Sequence, residues 1–100
     1  MTKKGTAMPL LLENEIQKKL ESLTDWTYSN KQISKEFKLA NFKEALAFVN
    51  LVGNAAEEMD HHPDILMHSW NKVKISVSTH SEGGVTEKDF QLAEKIEPLN

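Results

Sequence analysis

Three of the four histidines in this 100-residue chain lie where the predicted helices and strands end. His61 and His62 are adjacent and are followed at once by Pro63, while His80 comes shortly before a Gly-Gly pair. Histidine is the side chain whose unperturbed pKa lies near neutrality, so it can give or take a proton at cellular pH. The pattern therefore indicates general acid–base chemistry in a cleft between element ends, and His68 is left outside the constellation.

Simpler interpretations compete with this one. A histidine near a helix C-terminus is commonly a capping or surface group. Asp89 closes a Thr-x-x-Asp sequence, which is a helix-capping pattern and requires no catalytic role. A zinc site built from His61, His80 and Asp89 or Asp64 is conceivable, but the spacing matches no common metal motif. We therefore expect no bound metal.

The composition limits the class of protein. A chain with 39% hydrophobic and 27% charged residues is typical of one globular domain. It has no apolar run of about 18 residues, so we expect no membrane span. The absence of cysteine excludes disulfides and thiolate chemistry and fits a cytoplasmic protein. The net charge is −3 and the 12 basic residues are scattered lysines, so we expect no nucleic-acid surface.

Apolar periodicity predicts the elements that would position the histidines. Residues 1–8 are expected to be a disordered tail, with one domain over residues 9–100. Helical spacing of leucine and isoleucine predicts a first helix over about residues 10–22. Two alternating segments, residues 25–29 and 32–39, predict a hairpin, although Lys35 interrupts its apolar face.

The longest helix is predicted from Phe42 to His61 or His62, where the following proline would stop it. Asn41 is its expected N-cap. Gly53, inside this helix, is expected to allow close approach of the sheet.

Residues four apart on a helix share a face, so we expect Glu57 beside His61 and Glu58 beside His62. Adjacent helix positions diverge by about 100°, so the two rings would form two walls of one pocket. His80 would supply a third wall. Strict strand alternation, however, places His80 on the face away from the helices, unless the strand bends at its end or the pocket lies at the edge of the sheet.

Two further strands, over residues 64–70 and 72–79, and a helix from residue 86 to the residue before Pro98 complete the chain. The order α-β-β-α-β-β-α predicts an α+β single domain, with a four-stranded antiparallel sheet and three helices packed on one face. Three aromatic residues are expected in its core: Trp26, Trp70 and Phe90.

The string Glu57-x3-His61-His62-Pro63-x6-Trp70-x9-His80-x8-Asp89 resembles the motif of the pterin-4a-carbinolamine dehydratases. Some members of that family are also dimerization cofactors of a homeodomain transcription factor. The likeness continues over residues 71–73 and 78–90 and outward to residues 23–26 and 37–48. It therefore covers nearly the whole chain, and the family's fold agrees with the order predicted from periodicity.

The resemblance implies a dehydratase, a lyase, that converts a 4a-hydroxytetrahydropterin to the quinonoid dihydropterin and water in tetrahydrobiopterin recycling. It implies no metal or organic cofactor, a small pterin substrate, and a homodimer or homotetramer. The catalytic residues that it implies are His61, His62 and His80, and the substrate-binding or ring-orienting residues are Glu57, Pro63, Ser78, Thr79 and Asp89. Two other functions stay open: a non-catalytic dimerization module, and a pterin-linked helper in molybdenum-cofactor metabolism.

Overall fold

The helices and strands follow one another in the predicted order. The computed structural model describes residues 9–100, and the predicted tail at residues 1–8 lies outside the described residues. The elements are α1 (Glu13–Leu20), β1 (Thr27–Ser29), β2 (Gln32–Lys38), α2 (Phe42–Met59), β3 (Asp64–His68), β4 (Lys72–Val77) and α3 (Glu87–Ile96). Short 3₁₀ turns at His80–Glu82 and Glu97–Leu99 flank α3. The predicted α+β fold class is confirmed.

The sheet has the strand order β1-β2-β4-β3, and each neighbouring pair is antiparallel. Its register places Ile33 beside Val77 and Phe37 beside Val73, so apolar side chains line one face. The helices cover that face, and the core is made of fully buried residues from both layers: Ile33, Phe37, Ala45, Val52, Val73, Ile75, Val77, Phe90, Leu92 and Ile96. None of the helices within residues 9–100 has the length and apolar character needed to cross a membrane.

The long helix α2 begins as predicted and ends earlier than predicted. The Asn41 side chain accepts a hydrogen bond from the Glu44 backbone N–H at 2.8 Å, which confirms the N-cap. At the other end Asp60 takes the left-handed conformation, with φ 51° and ψ 44°. The His61 N–H then donates to the Ala56 carbonyl at 3.1 Å and closes the helix. The two adjacent histidines therefore lie beyond the helix, on the chain that turns back toward β3.

The turn between β3 and β4 corrects two predictions. The third strand ends at His68, because Ser69 and Trp70 have φ values of 51° and 72° and lie in the three-residue hairpin turn of residues 69–71. Trp70 is consequently 61% exposed, and its predicted place in the core is wrong. Trp26 and Phe90 are buried, as predicted.

The expected role of Gly53 is also wrong. A Cβ built on Gly53 would meet no heavy atom of residues 9–100 within 4 Å, so no strand approaches it closely.

The first helix begins later than predicted. The Leu11 N–H donates to the Val85 carbonyl at 2.9 Å, which holds the residues before the helix extended against the loop before α3.

Lys35, which interrupts an apolar strand face, has a local partner. Its Nζ lies 2.8 Å from Glu97 Oε2, and the same oxygen accepts the Trp26 Nε1–H at 2.6 Å. The lysine stem crosses the Phe37 ring, with Nζ 4.8 Å from the ring centroid. This largely buried polar cluster thus allows a charged residue on the core side of the sheet.

Candidate functional site

The strand that leads to His80 ends before it reaches that residue. β4 stops at Val77, and Thr79 forms an isolated bridge with Gly84 in which the Thr79 N–H donates to the Gly84 carbonyl at 2.7 Å. His80 then opens a 3₁₀ turn that Gly83 closes at φ 75°, a conformation that favours glycine. Strand alternation therefore does not apply to His80, and the bend brings it toward the end of α2.

The three histidines line one cleft. Its volume is about 290 Å³, and its walls are Asp60, His61, His62, Ser78, Thr79, His80, Ser81 and Lys88. A larger cavity of about 360 Å³ lies over the polar outer face of the sheet, with no histidine in its walls. The smaller cleft is the candidate site because it gathers proton-transfer groups from two distant segments of the chain.

His61 lies at the buried base of this cleft. Its Nε2 is 2.6 Å from Asp89 Oδ1, and the two side chains are 10% and 0% exposed. The other carboxylate oxygen, Oδ2, accepts the Thr79 hydroxyl at 2.9 Å and the Thr86 N–H at 2.8 Å. The last of these bonds belongs to the capping box of α3, which the sequence predicted. One carboxylate therefore caps a helix and holds a cleft histidine.

His62 lies at the exposed rim. Its Nε2 is 2.5 Å from Glu57 Oε2, and the two side chains are 53% and 76% exposed. The expected pairs, Glu57 with His61 and Glu58 with His62, are wrong. They assumed continuous helix, whereas the left-handed Asp60 turns the chain and brings the second histidine back beside Glu57.

The structure brings most of the predicted site residues together. Ser78 and Thr79 line the cleft with the three histidines, while Asp89 and Glu57 contact it through His61 and His62. Pro63 is half-buried beside His62 and contributes nothing to the cleft walls that residues 9–100 form.

Sequence reasoning missed four residues: Asp60, Ser81, Thr86 and Lys88. Asp60 precedes His61 and Ser81 follows His80, so each lies at the cleft because its neighbour does. Thr86 is the N-cap of α3 and Lys88 lies in its first turn, and the Thr-x-x-Asp pattern was the signal that could have indicated them. Across residues 9–100, no group of three or more His, Cys, Asp or Glu side chains is arranged to hold a metal ion.

The model of the family described as pterin 4 alpha carbinolamine dehydratase matches residues 9–99. The chain belongs to this family. A protein of Sulfolobus acidocaldarius, provisionally named a pterin-4-alpha-carbinolamine dehydratase, is 49% identical over 87 residues, 87% of this chain and 94% of its own length. A protein of Herpetosiphon aurantiacus with the same provisional name is 49% identical over 92 residues, 92% of this chain and 95% of its own length.

Two solved structures with related names are similar to this chain. A transcriptional coactivator/pterin dehydratase from Brucella melitensis superimposes with a TM-score of 0.85 at 33% identity, covering 91% of this chain and 98% of the other. A pterin dehydratase-like RuBisCO assembly factor of the α-carboxysome is similar in fold, with a TM-score of 0.59 at 20% identity over 74% of this chain and 84% of the other. The predicted family is confirmed.

Proposed function

We propose that this protein is a 4a-hydroxytetrahydropterin dehydratase that acts in pterin recycling. The observation that carries the proposal is the convergence of His61, His62 and His80 on one cleft in a member of this family. A cleft of about 290 Å³ is near the lower end of the size range of small-molecule sites, which suits a compact bicyclic ring. The same proposal places the protein in the cytoplasm, in keeping with a chain that has no cysteine.

The reaction needs one acid and one base. The C4a–O bond breaks and its electron pair leaves with oxygen, which is a poor leaving group unless an imidazolium protonates it to water. A neutral imidazole removes the proton from N5, and the N–H electron pair becomes the C4a=N5 double bond of the quinonoid product. No electron is gained or lost. Each positioned proton transfer contributes typically 10²–10⁴-fold to the rate.

His61 and His80 are the proposed direct participants. They come from two distant segments of the chain that line the cleft, one fixed by Asp89 and one carried by the turn after Thr79. His62 at the rim is the third member of the set, oriented by Glu57. The backbone at His62, Ser78 and Thr79 is proposed to hold the pterin. Pro63, which lies outside these walls, is proposed to act indirectly by fixing the course of the chain after His62.

A stopped-flow absorbance assay with synthetic 4a-hydroxytetrahydropterin tests the proposal. His80→Ala is expected to slow dehydration by about 10²-fold or more, because it removes one proton-transfer group. His68→Ala is the matched control, since that histidine lies on the outer face of the sheet, 2.7 Å from Glu36. Thermal denaturation shows whether both variants stay folded. Near-wild-type turnover by a folded His80→Ala protein would remove the acid–base assignment.

We also propose that the protein is a homodimer or homotetramer. β3 is an edge strand with an exposed Leu66, and edge strands of this kind pair readily with another chain. On α2, Phe42 and Leu46 are 50% and 45% exposed. These apolar surfaces also favour the second candidate function, a dimerization module. The Brucella relative is itself named a transcriptional coactivator/pterin dehydratase. Sedimentation velocity tests the oligomer, and turnover in the assay above favours the enzyme.

A further inference from the structure

A continuous chain of hydrogen bonds runs behind the cleft, from the first turn of α3 to His61. The Lys88 N–H donates to Thr86 Oγ1 at 3.2 Å, and Thr86 Oγ1 lies 2.8 Å from Thr79 Oγ1. The Thr79 hydroxyl donates to Asp89 Oδ2 at 2.9 Å, and Asp89 Oδ1 lies 2.6 Å from His61 Nε2. Thr86 and Asp89 are 0% exposed and Thr79 is 7% exposed, so water does not compete for these groups.

The direction of each bond in this chain follows from the number of hydrogens available. A hydroxyl has one hydrogen, and that of Thr79 is directed at Asp89. The Thr86 hydroxyl must therefore donate to Thr79, rather than the reverse. Together with the Thr86 N–H, two donors converge on Asp89 Oδ2. An ionised carboxylate only accepts, so its other oxygen requires a donor from the ring.

That requirement decides which ring nitrogen carries the proton. In neutral imidazole one nitrogen donates and the other accepts. If Nε2–H faces Asp89, then Nδ1 is the acceptor. Among the described residues no buried side-chain nitrogen or oxygen lacks a partner, and Asp89 is the partner found for His61. Nδ1 is therefore accessible, and the accessible side of His61 is the cleft that it lines.

We propose that Thr79 and Thr86 are positioning residues that act through Asp89 to fix His61 in the Nε2–H tautomer. Nδ1 is then the proton acceptor of the cleft. Resting on the proposed dehydratase function, this makes His61 the base that takes the N5 proton and leaves the acid role to His80. The proton moves from N5 to His61 Nδ1, and a second proton moves from the His80 imidazolium to the departing oxygen.

Nitrogen-15 NMR of the full chain labelled at histidine tests the tautomer directly, because long-range correlations distinguish Nδ1–H from Nε2–H. The His61 signal is the one absent from the His61→Ala spectrum. In wild-type protein, at a pH where the ring is neutral, we expect the Nε2–H pattern. An Nδ1–H pattern would overturn the inference.

Asp89→Asn gives the sharper test. The Thr86 N–H and the Thr79 hydroxyl should keep the amide oxygen at the Oδ2 position, which turns the amide NH₂ toward His61. The ring must then accept at Nε2 and carry its proton on Nδ1. We expect the tautomer to invert and dehydration to fall by about 10²–10⁴-fold. Glu57→Gln is the matched control, and it should leave the His61 signal unchanged. An Nε2–H signal retained in Asp89→Asn would contradict the proposal.

The threonines are tested by Thr79→Val and its conservative counterpart Thr79→Ser. Without the hydroxyl, Oδ2 keeps one donor and the carboxylate can rotate, so the His61 signal should show both tautomers. We expect kcat to fall up to about a hundredfold, with KM within about twofold, since this hydroxyl points at Asp89 and not into the cleft. Thr79→Ser should restore both values. Unchanged tautomer and kcat in Thr79→Val would exclude a positioning role.

Failure of this inference and failure of the proposed function give different results. If wild-type protein shows the Nε2–H pattern but does not dehydrate the pterin, the function is wrong and the tautomer assignment stands. If it dehydrates the pterin with His61 in the Nδ1–H form, the function stands and the inference is overturned.

Discussion

The buried base and the exposed rim of the cleft contain the same pair of groups in different surroundings. His61 lies 2.6 Å from Asp89, and His62 lies 2.5 Å from Glu57. The first pair is 10% and 0% exposed, and the second is 53% and 76% exposed. The contact distances are almost equal, so distance alone does not distinguish the roles. Asp89 is buried and accepts two further hydrogen bonds, so the pair that it forms with His61 is a fixed part of the site.

The difference between base and rim originates in one residue. Asp60 takes a left-handed conformation at the end of α2, so His61 and His62 follow a turn and their rings separate. One ring reaches α3, and the other returns to the last turn of α2. Neighbouring residues thereby receive partners 28 and five positions away along the chain.

The largest expected effect is on turnover. His61→Ala should lower the dehydration rate by about 10²–10⁴-fold, because it removes the proposed base. His62→Ala should lower it about tenfold or less, since its ring is half in solvent and can be replaced in part by water. Both rates are measured by stopped-flow absorbance. Equal losses in the two variants would mean that the buried His61 and the exposed His62 have the same role.

A smaller effect is expected on stability. Asp89→Ala leaves the His61 Nε2–H, the Thr79 hydroxyl and the Thr86 N–H without their buried acceptor, which should lower the free energy of unfolding by about 2–5 kcal/mol. Glu57→Ala should change it by less than about 1 kcal/mol, because surface ion pairs contribute little. Urea denaturation measures both. A cost for Glu57→Ala as large as that for Asp89→Ala would contradict the contrast drawn from burial.

The smallest effect concerns stability at Asp60, the turn residue that precedes the two histidines. At Asp60, with φ 51°, glycine should be more stable than alanine by about 1 kcal/mol. At Gly53, inside the same helix and with open space around it, alanine should be more stable than glycine by roughly 0.5–1 kcal/mol. Thermal and urea denaturation of the four proteins give both differences. Alanine as stable as glycine at Asp60, or more stable, would show that the left-handed turn carries no strain.

The fold was predictable because its signals are local. Apolar periodicity gave the helices and strands, and their caps were readable from short patterns such as Asn41 before α2 and Thr86 with Asp89 at α3. Element ends were less predictable. Asp60 and Trp70 both have left-handed backbone conformations, which their residue types alone do not predict. The end of α2 was therefore placed two or three residues too late, and Trp70 was wrongly assigned to the core.

The residues that line the candidate cleft were easier to predict than the hydrogen bonds between them. The three histidines follow from their positions at element ends and from the family resemblance. The partner of His61 does not, because Asp89 lies 28 residues away and had a sufficient local explanation as a cap. Lys35 presents the same difficulty, since Glu97, which binds it, is 62 residues away. Long-range pairings of this kind depend on how the layers pack, which a periodic pattern does not specify.

Leu10 and Leu11, among the described residues before α1, lie against the loop that follows His80. The Leu11 N–H is bonded to Val85, and a Cβ on Gly84 would stand 3.1 Å from the Leu10 side chain. Deleting the residues before α1, or fusing a bulky partner directly to them, would therefore remove or disturb contacts that hold one wall of the cleft. Reagents made from this protein should leave that stretch intact and carry their affinity handles elsewhere.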